Sequence, residues 1–382
     1  MEDGLNVRHH WRLDPDVAFC NNGSFGATPI EVLEVQRAEQ DRMELQPVAY
    51  LLSVGPRLRE AASAVGEILG AKGRDIVFVD NATTGVNTVL ASLPVRPGDV
   101  WLTTSHVYGA VRNAMRHFAG KGGGTVREAD VAFPIAGPEV VVEALRAALT
   151  SDVRLVVVDH VTSATGLVFP VQEIVAMCRA AGVPILVDGA HVPGQVDVDL
   201  TALDADWYVA NLHKWLFTPK GCAILWVRRD WQAAIRPLVI SHGYGLGFHE
   251  EFDWTGTRDP SPALCVPAAI EFAERRLGGF SAIRAVQSAK RREAEAIIVA
   301  AWGTPPVAPP SMLAALQTLE LPFHAVPTEG PAIHDALVAR HRVEVPIFPF
   351  AGRCWCRISA QVYTTVQDWR RLVAAMDGRG VR

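Results

Sequence analysis

An α/β architecture with a mostly parallel sheet, followed by a smaller C-terminal α+β domain, is the fold class this sequence predicts. Three observations carry the prediction: short apolar runs recur up to about residue 227, helix-like segments separate them, and the rhythm changes after about residue 250. The chain has 382 residues, and dividing by the roughly 150 residues of a typical domain gives about 2.5, which suits one large and one small unit.

The runs at 76–79, 100–103, 155–158, 185–187, 207–210 and 223–227 read as strands, several of them apolar throughout, as strands covered on both faces should be. Between them, 84–92, 110–118, 139–150 and 171–181 read as helices, the last stopping before Gly182 and Pro184. Such alternation predicts parallel strands joined by helical crossovers. Farther on, 262–276 and 280–301 read as longer helices, followed by short strands and a terminal helix at 365–376. The four prolines within 302–310 predict a loop, because proline fixes φ and removes a backbone donor. The expected division is an N-terminal segment 1–15, a large domain 16–250 and a small domain 251–382. Gly243, Gly245 and Gly247 predict a mobile connection, and they lack the strand-to-helix setting of a dinucleotide fingerprint.

Composition narrows the partners. Lys plus Arg is 36 against 41 Asp plus Glu, a net charge of −5, which argues against a nucleic-acid-binding surface. The six cysteines form no Cys-x-x-Cys pair and read as reduced thiols. The first 16 residues are polar rather than signal-like, and no run approaches the ~20 apolar residues that cross a bilayer. The expectation is a cytoplasmic protein with no membrane partner.

Three features carry chemistry. Asp80-Asn81-Ala82-Thr83-Thr84-Gly85 follows a strand and opens a helix, where free N–H groups and hydroxyls suit an anion, although Thr83 could simply cap the helix. Asp188 ends an apolar strand, where open α/β sheets place ligands, although it could be a turn residue. Lys214, one of only five lysines, follows another strand and is flanked by apolar and aromatic residues, unlike a solvated surface charge. Lys220 is the rival, but Pro219 and Gly221 put it in a turn. Together the three suit pyridoxal 5'-phosphate: a lysine for the aldehyde, a carboxylate for the pyridine nitrogen and a helix N-terminus for the phosphate.

The order of these motifs resembles the class V aminotransferase family, of pyridoxal phosphate fold type I, and within it the isopenicillin N epimerase group. The resemblance runs through Asn21-Asn22-Gly23-Ser24-Phe25-Gly26, Asn81–Asn87, His106-Val107-Tyr108-Gly109-Ala110, Val187–His191, His213-Lys214-Trp215, Thr255–Asp259 and Arg357-Ile358-Ser359. It implies that Lys214 carries the Schiff base and moves the α-proton, Asp188 meets the pyridinium, and Thr83, Thr84 and the Gly85 backbone hold phosphate. His106 is implied as the ring-stacking residue, with Tyr108 its local rival; His191, His213 and Ser163 are placed near the ring or the Schiff base. Ser163 stands where many relatives have asparagine. Arg357 is implied to clasp the substrate α-carboxylate, a task for a planar bidentate donor, with a strand-edge salt bridge as its other reading. Asn22, Gly23 and Ser24 are expected beside the substrate, and Thr257 is implied to reach the phosphate of a second subunit in a homodimer with shared sites.

The resemblance implies a shared opening, in which the substrate amine displaces the lysine from the cofactor aldehyde and the α-carbon then loses its proton. Epimerisation or racemisation is the leading expectation. Carbon–sulfur lyase, cysteine desulfurase-like and aminotransferase activities are alternatives, as is a non-catalytic regulatory module that only binds the cofactor. A desulfurase needs a nucleophilic thiol on a mobile loop. Cys354 and Cys356 instead fall in a run that reads as a strand, on the face opposite Arg357. The segments 50–53 and 241–253 are expected to shape side-chain specificity.

Overall fold

The computed structural model describes residues 7–376; residues 1–6 of the expected N-terminal segment and 377–382 of the expected small domain lie outside the described residues. The chain opens with β1 (Ala18–Phe19), the single-turn α1 (Asn22–Phe25) and two longer helices, α2 (Ile30–Leu45) and α3 (Val54–Leu69). Strand and helix then alternate as β2 (Ile76–Val79), α4 (Ala82–Ser92), β3 (Val100–Thr104), α5 (Gly109–Lys121), β4 (Thr125–Ala129), α6 (Glu139–Ala148), β5 (Val153–Asp159), α7 (Val171–Ala180) and β6 (Ile185–Asp188). The run closes with β7 (Trp207–Asn211), α8 (Leu212–Trp215) and β8 (Ala223–Val227).

Strands β2 to β8 make one seven-stranded sheet in the order β2-β8-β7-β6-β5-β3-β4, with β8 antiparallel to both neighbours and the other pairs parallel. Alternate residues feed two separate cores: Val156, Val158, Val187 and Tyr208 pack on one face, Val157, Leu186, Trp207 and Val209 on the other. A strand sandwiched in this way must be apolar at every position, which is why these runs could be read from sequence. The edge strand β4 carries Arg127 and Glu128 and is only partly buried, so no apolar run announces it.

The rest of the chain forms α9 (Val266–Leu277), α10 (Gly279–Trp302), β9 (Leu316–Glu320), α11 (Gly330–His341), β10 (Val343–Glu344), β11 (Ile347–Phe350), β12 (Arg353–Ser359) and α12 (Val366–Ala375). The sheet here is antiparallel, β11-β12-β9, and β10 pairs in parallel with β1. The helix expected over 262–276 is broken at Cys265, and the expected connection 241–253 ends in a short helix, Phe248–Asp253. Core residues between 263 and 283 belong with those of α3, whereas Ala294, Ile298, Leu319, Ile358 and Trp369 form a third core with Ala18 and Cys20. We therefore propose that the small domain begins within α10 rather than at residue 251. Among the described residues no helix is long and apolar enough to cross a membrane.

Candidate active site

Strands β5, β6 and β7 end side by side at Asp159, Asp188 and Asn211, with Asp159 in register with Asp188. Beside them starts α4. Its N-cap is Asn81, whose Oδ1 accepts the Thr84 N–H at 2.9 Å while its carbonyl accepts that of Gly85 at 3.1 Å. The Ala82 N–H donates to Asn211 Oδ1 at 2.8 Å. With Asn81 as the cap, the hydroxyl and N–H of Thr83 take no protein partner among the described residues, and Thr83 lines a cavity of about 180 Å³. Gly85 serves packing instead: a Cβ there would stand 2.7 Å from Val209 Cγ1, so the glycine lets α4 lie directly on β7.

Lys214 sits in α8, the turn directly after β7, and its Nζ lies 3.2 Å from His191 Nε2. Burial, aided by the Arg357 charge, lowers the amine to about 7. Burial also pushes His191 well below its ordinary value, and its Nδ1 accepts from Trp215 Nε1 at 3.4 Å. The imidazole proton is thus assigned to Nε2, facing the amine. His213 lines the same cavity, is lowered to about 4 by burial, and is turned by its Nδ1 contact with the Cys222 carbonyl at 2.9 Å. Asp188 accepts the Ala190 N–H at 2.9 Å, and neither it nor Asp159 makes an ion pair among the described residues.

Arg357, on β12, is 1% exposed. Its Nη1 donates to the Ser163 carbonyl at 2.6 Å and its Nη2 to Ser24 Oγ at 3.2 Å, while Phe348 lies under the guanidinium at 4.7 Å. It has no acidic partner among the described residues, so the salt-bridge reading does not hold; Ser24 and Ser163, which it holds, both line the cavity. Burial lowers Arg357 to about 10, which leaves it charged at neutral pH.

The N-terminal segment closes the site from the small-domain side. Asn22 donates to the Lys214 carbonyl at 3.1 Å and accepts from Tyr363 Oη at 2.8 Å, and the Gly23 N–H donates to Ser359 Oγ at 3.0 Å. Gly26 has φ +69, and a Cβ there would lie 2.2 Å from the His213 carbonyl oxygen. No other residue lets the segment pass so close to the lysine turn.

The structure thus brings Thr83, Ser24, Ser163, Asp188, His191, His213 and Lys214 to one cavity. Other expected residues lie elsewhere. His106 is 1% exposed but faces away, held by Thr165 Oγ1 at 2.7 Å and the Val131 carbonyl at 3.0 Å and packed on Phe350. Its rival Tyr108 lines the cavity, because the loop after β3 turns once more before α5 begins. The Thr84 hydroxyl is taken by Asn81 at 3.2 Å, and Asn22 and Gly23 stand behind the wall as ties between elements. Thr257 is exposed on a segment that Arg258 ties to Asp80 at 3.2 Å, outside this cavity. Segments 50–53 and 241–253 do not line it either; Tyr50 Oη donates to Glu39 Oε2 at 2.8 Å. Sequence reading missed Asp159, although it ends an apolar strand just as Asp188 does.

Residues 53–322 match the profile of the family described as aminotransferase class-V. The chain belongs to that family. It is 35% identical over 402 residues to a probable L-cysteine desulfhydrase, chloroplastic, of Arabidopsis thaliana, covering 97% of this chain and 84% of that protein. It is 31% identical over 396 residues to the isopenicillin N epimerase of Amycolatopsis lactamdurans, covering 97% of each. The finer resemblance to the epimerases is thus real, but the plant desulfhydrase is the more similar of the two. Among solved structures, a mutant of C-DES with glycine covalently linked to its pyridoxal phosphate superimposes with a TM-score of 0.85 at 22% identity, over 97% of this chain and 98% of that one. This likeness shows the shared fold type I.

Pyridoxal phosphate is the cofactor of this enzyme, and the residues present fit it. A buried amine near neutrality, a buried carboxylate without a cationic partner and a helix N-terminus with a free hydroxyl converge on one cavity. The Oδ2 of Asp159 is a further buried polar atom there with no protein partner.

Proposed function

We propose that this enzyme breaks the carbon–sulfur bond of a small amino acid such as cysteine by β-elimination, yielding sulfide, pyruvate and ammonia with uptake of water. One observation carries the reading: among the amine and imidazole groups lining the cavity, Lys214 is the single one poised near neutrality, His191 and His213 being held neutral by burial. One base suffices for elimination, since the proton it takes from the α-carbon can go to the departing sulfur. The greater identity to the plant desulfhydrase supports the same choice. No thiol lines the cavity to accept sulfur: all six cysteines are buried, and Cys354 and Cys356 point from β12 into the small-domain core.

When bound, pyridoxal phosphate would supply a carbonyl that condenses with amines and a ring that takes up the electron pair left by the α-proton. Thr83 with its N–H would hold the phosphate, Asp188 the ring nitrogen, and Tyr108 would cover the ring. Arg357 would bind the substrate carboxylate between Ser24 and Ser163. Lys214, brought to about 7 by burial and by Arg357 and so able both to take and to give a proton near neutral pH, would move the proton between the α-carbon and sulfur.

Epimerisation is the second reading, favoured by the Tyr108 hydroxyl at the cavity as an acid distinct from Lys214. Incubation with L-cysteine and a panel of amino acids in deuterated water separates the two. Sulfide with pyruvate is expected; a stereochemically scrambled, α-deuterated amino acid without sulfide would overturn elimination. Absence of exchange with every amino acid would leave only a binding module.

We also propose a homodimer in which Thr257 reaches the partner's phosphate site. The strongly exposed Leu45, Val48 and Leu52 support a covered apolar ridge. The buried thiols fit a reducing compartment, on this reading the cytoplasm.

A further inference from the structure

Asp159 and Asp188 are register partners on adjacent parallel strands, so their carboxyl groups project to the same face, on backbones about 5 Å apart. Both are 3% exposed and both line the cavity. Asp159 accepts the backbone N–H of Tyr108, and its Oδ2 is buried without a partner. The charged groups facing the pair are Lys214 from α8, Arg112 from α5 and, behind Lys214, Arg357 from β12. None bonds either carboxyl: Arg112 is held by Glu128 at 3.0 Å, and Arg357 by Ser163 and Ser24. Of the other titratable neighbours, His191 is neutral and Tyr108 turns a backbone donor toward Asp159. Two adjacent negative charges with so little compensation are strongly unfavourable, and one proton shared by the pair removes the conflict.

We propose that Asp159 is a positioning residue, held as a neutral acid beside Asp188, so that the pair carries one negative charge and carries it on the carboxylate that meets the ring nitrogen. The proposal rests on the reading that Asp188 is that carboxylate. Both carboxyls accept a backbone N–H, but the Lys214 charge acts on Asp188 and makes it the better site for the charge, whereas the Oδ2 of Asp159 is buried with nothing to stabilise it and is the natural seat of the proton. Burial and the neighbouring carboxylate push Asp159 well above the ordinary range, in the same sense.

Infrared difference spectroscopy of the holoenzyme, wild type minus Asp159→Asn near neutral pH, tests this. Asparagine keeps the acceptor for the Tyr108 N–H, so the expected difference is loss of one carboxylic-acid C=O band. Loss of a carboxylate band instead overturns the proposal. Carbon-13 NMR of wild-type enzyme labelled at aspartate Cγ reads the same proton without a variant: one carboxyl should remain protonated near neutral pH, and its absence is equally fatal. The visible absorption of the bound cofactor should respond to the pair in two pH steps in the wild type and in one step in Asp159→Asn. A merely structural role leaves both steps in place. A cofactor spectrum indifferent to Asp188→Asn would remove the ring-nitrogen reading, and the infrared result would still decide the protonation of Asp159.

Discussion

Lys214 draws its chemistry from where its amine is kept. Lys214→Ala should remove the absorption band of the lysine Schiff base in protein purified free of amino acids, and an unchanged spectrum would place the covalent attachment elsewhere. The same burial predicts a pH signature in the cofactor-free protein. The folded amine titrates near about 7 and the ordinary one at 10.5, so between these values the unfolded chain binds the extra proton. Stability should therefore rise with pH across that window, the penalty being fully present below about 7. Melting curves of Lys214→Met should lack this component of the slope. At the other wall, Arg357→Lys should raise the KM for the amino acid tenfold or more while cofactor absorption persists, since a hydrogen bond to a charged group is worth about 1.5–3 kcal/mol. Asp188 and Lys214 could be singled out because a strand end and a scarce lysine mark themselves in a sequence, whereas Arg357, inside β12, was suggested by the family resemblance alone. The choice between His106 and Tyr108 was not, since both lie in an irregular turn where no periodicity says which side chain faces inward.

At the level of elements, the closeness of α4 to β7 sets where Thr83 meets the cavity. Gly85→Ala would drive a methyl to 2.7 Å from Val209 Cγ1 and should cost about 1–3 kcal/mol of stability with weaker cofactor retention. Val209→Ala in the same chain should restore part of both, as chemical denaturation and cofactor titration would show. The buried strands and their crossovers were readable from uninterrupted apolar runs. The half-exposed β4 and the break at Cys265 were not, because a polar edge strand lacks the apolar signal and a break inside an apolar helical run leaves its periodicity intact.

The whole molecule is expected to sediment as a dimer. Mixing inactive Lys214→Ala and Thr257→Ala chains should recover activity if each site borrows Thr257 across the interface, because one site of the mixed dimer then has both residues; no recovery would confine each site to its own chain. The small domain's antiparallel sheet was visible only as unspecified short strands, since β9 and β12 mix polar and apolar residues, and the pairing of β1 with β10 joins segments far apart along the chain. That distance has a consequence for biosynthesis. Residues 18–26, which wall in the lysine, are anchored by Ala18 pairing with Val343 and by Cys20 and Gly23 bonding to Ser359. A nascent polypeptide leaving the ribosome can shape its main sheet early and offer Asn22 the Lys214 carbonyl, but the amino-terminal flap lacks its small-domain anchors until almost the last residues emerge. Maturation of the catalytic centre is thereby deferred to the end of translation.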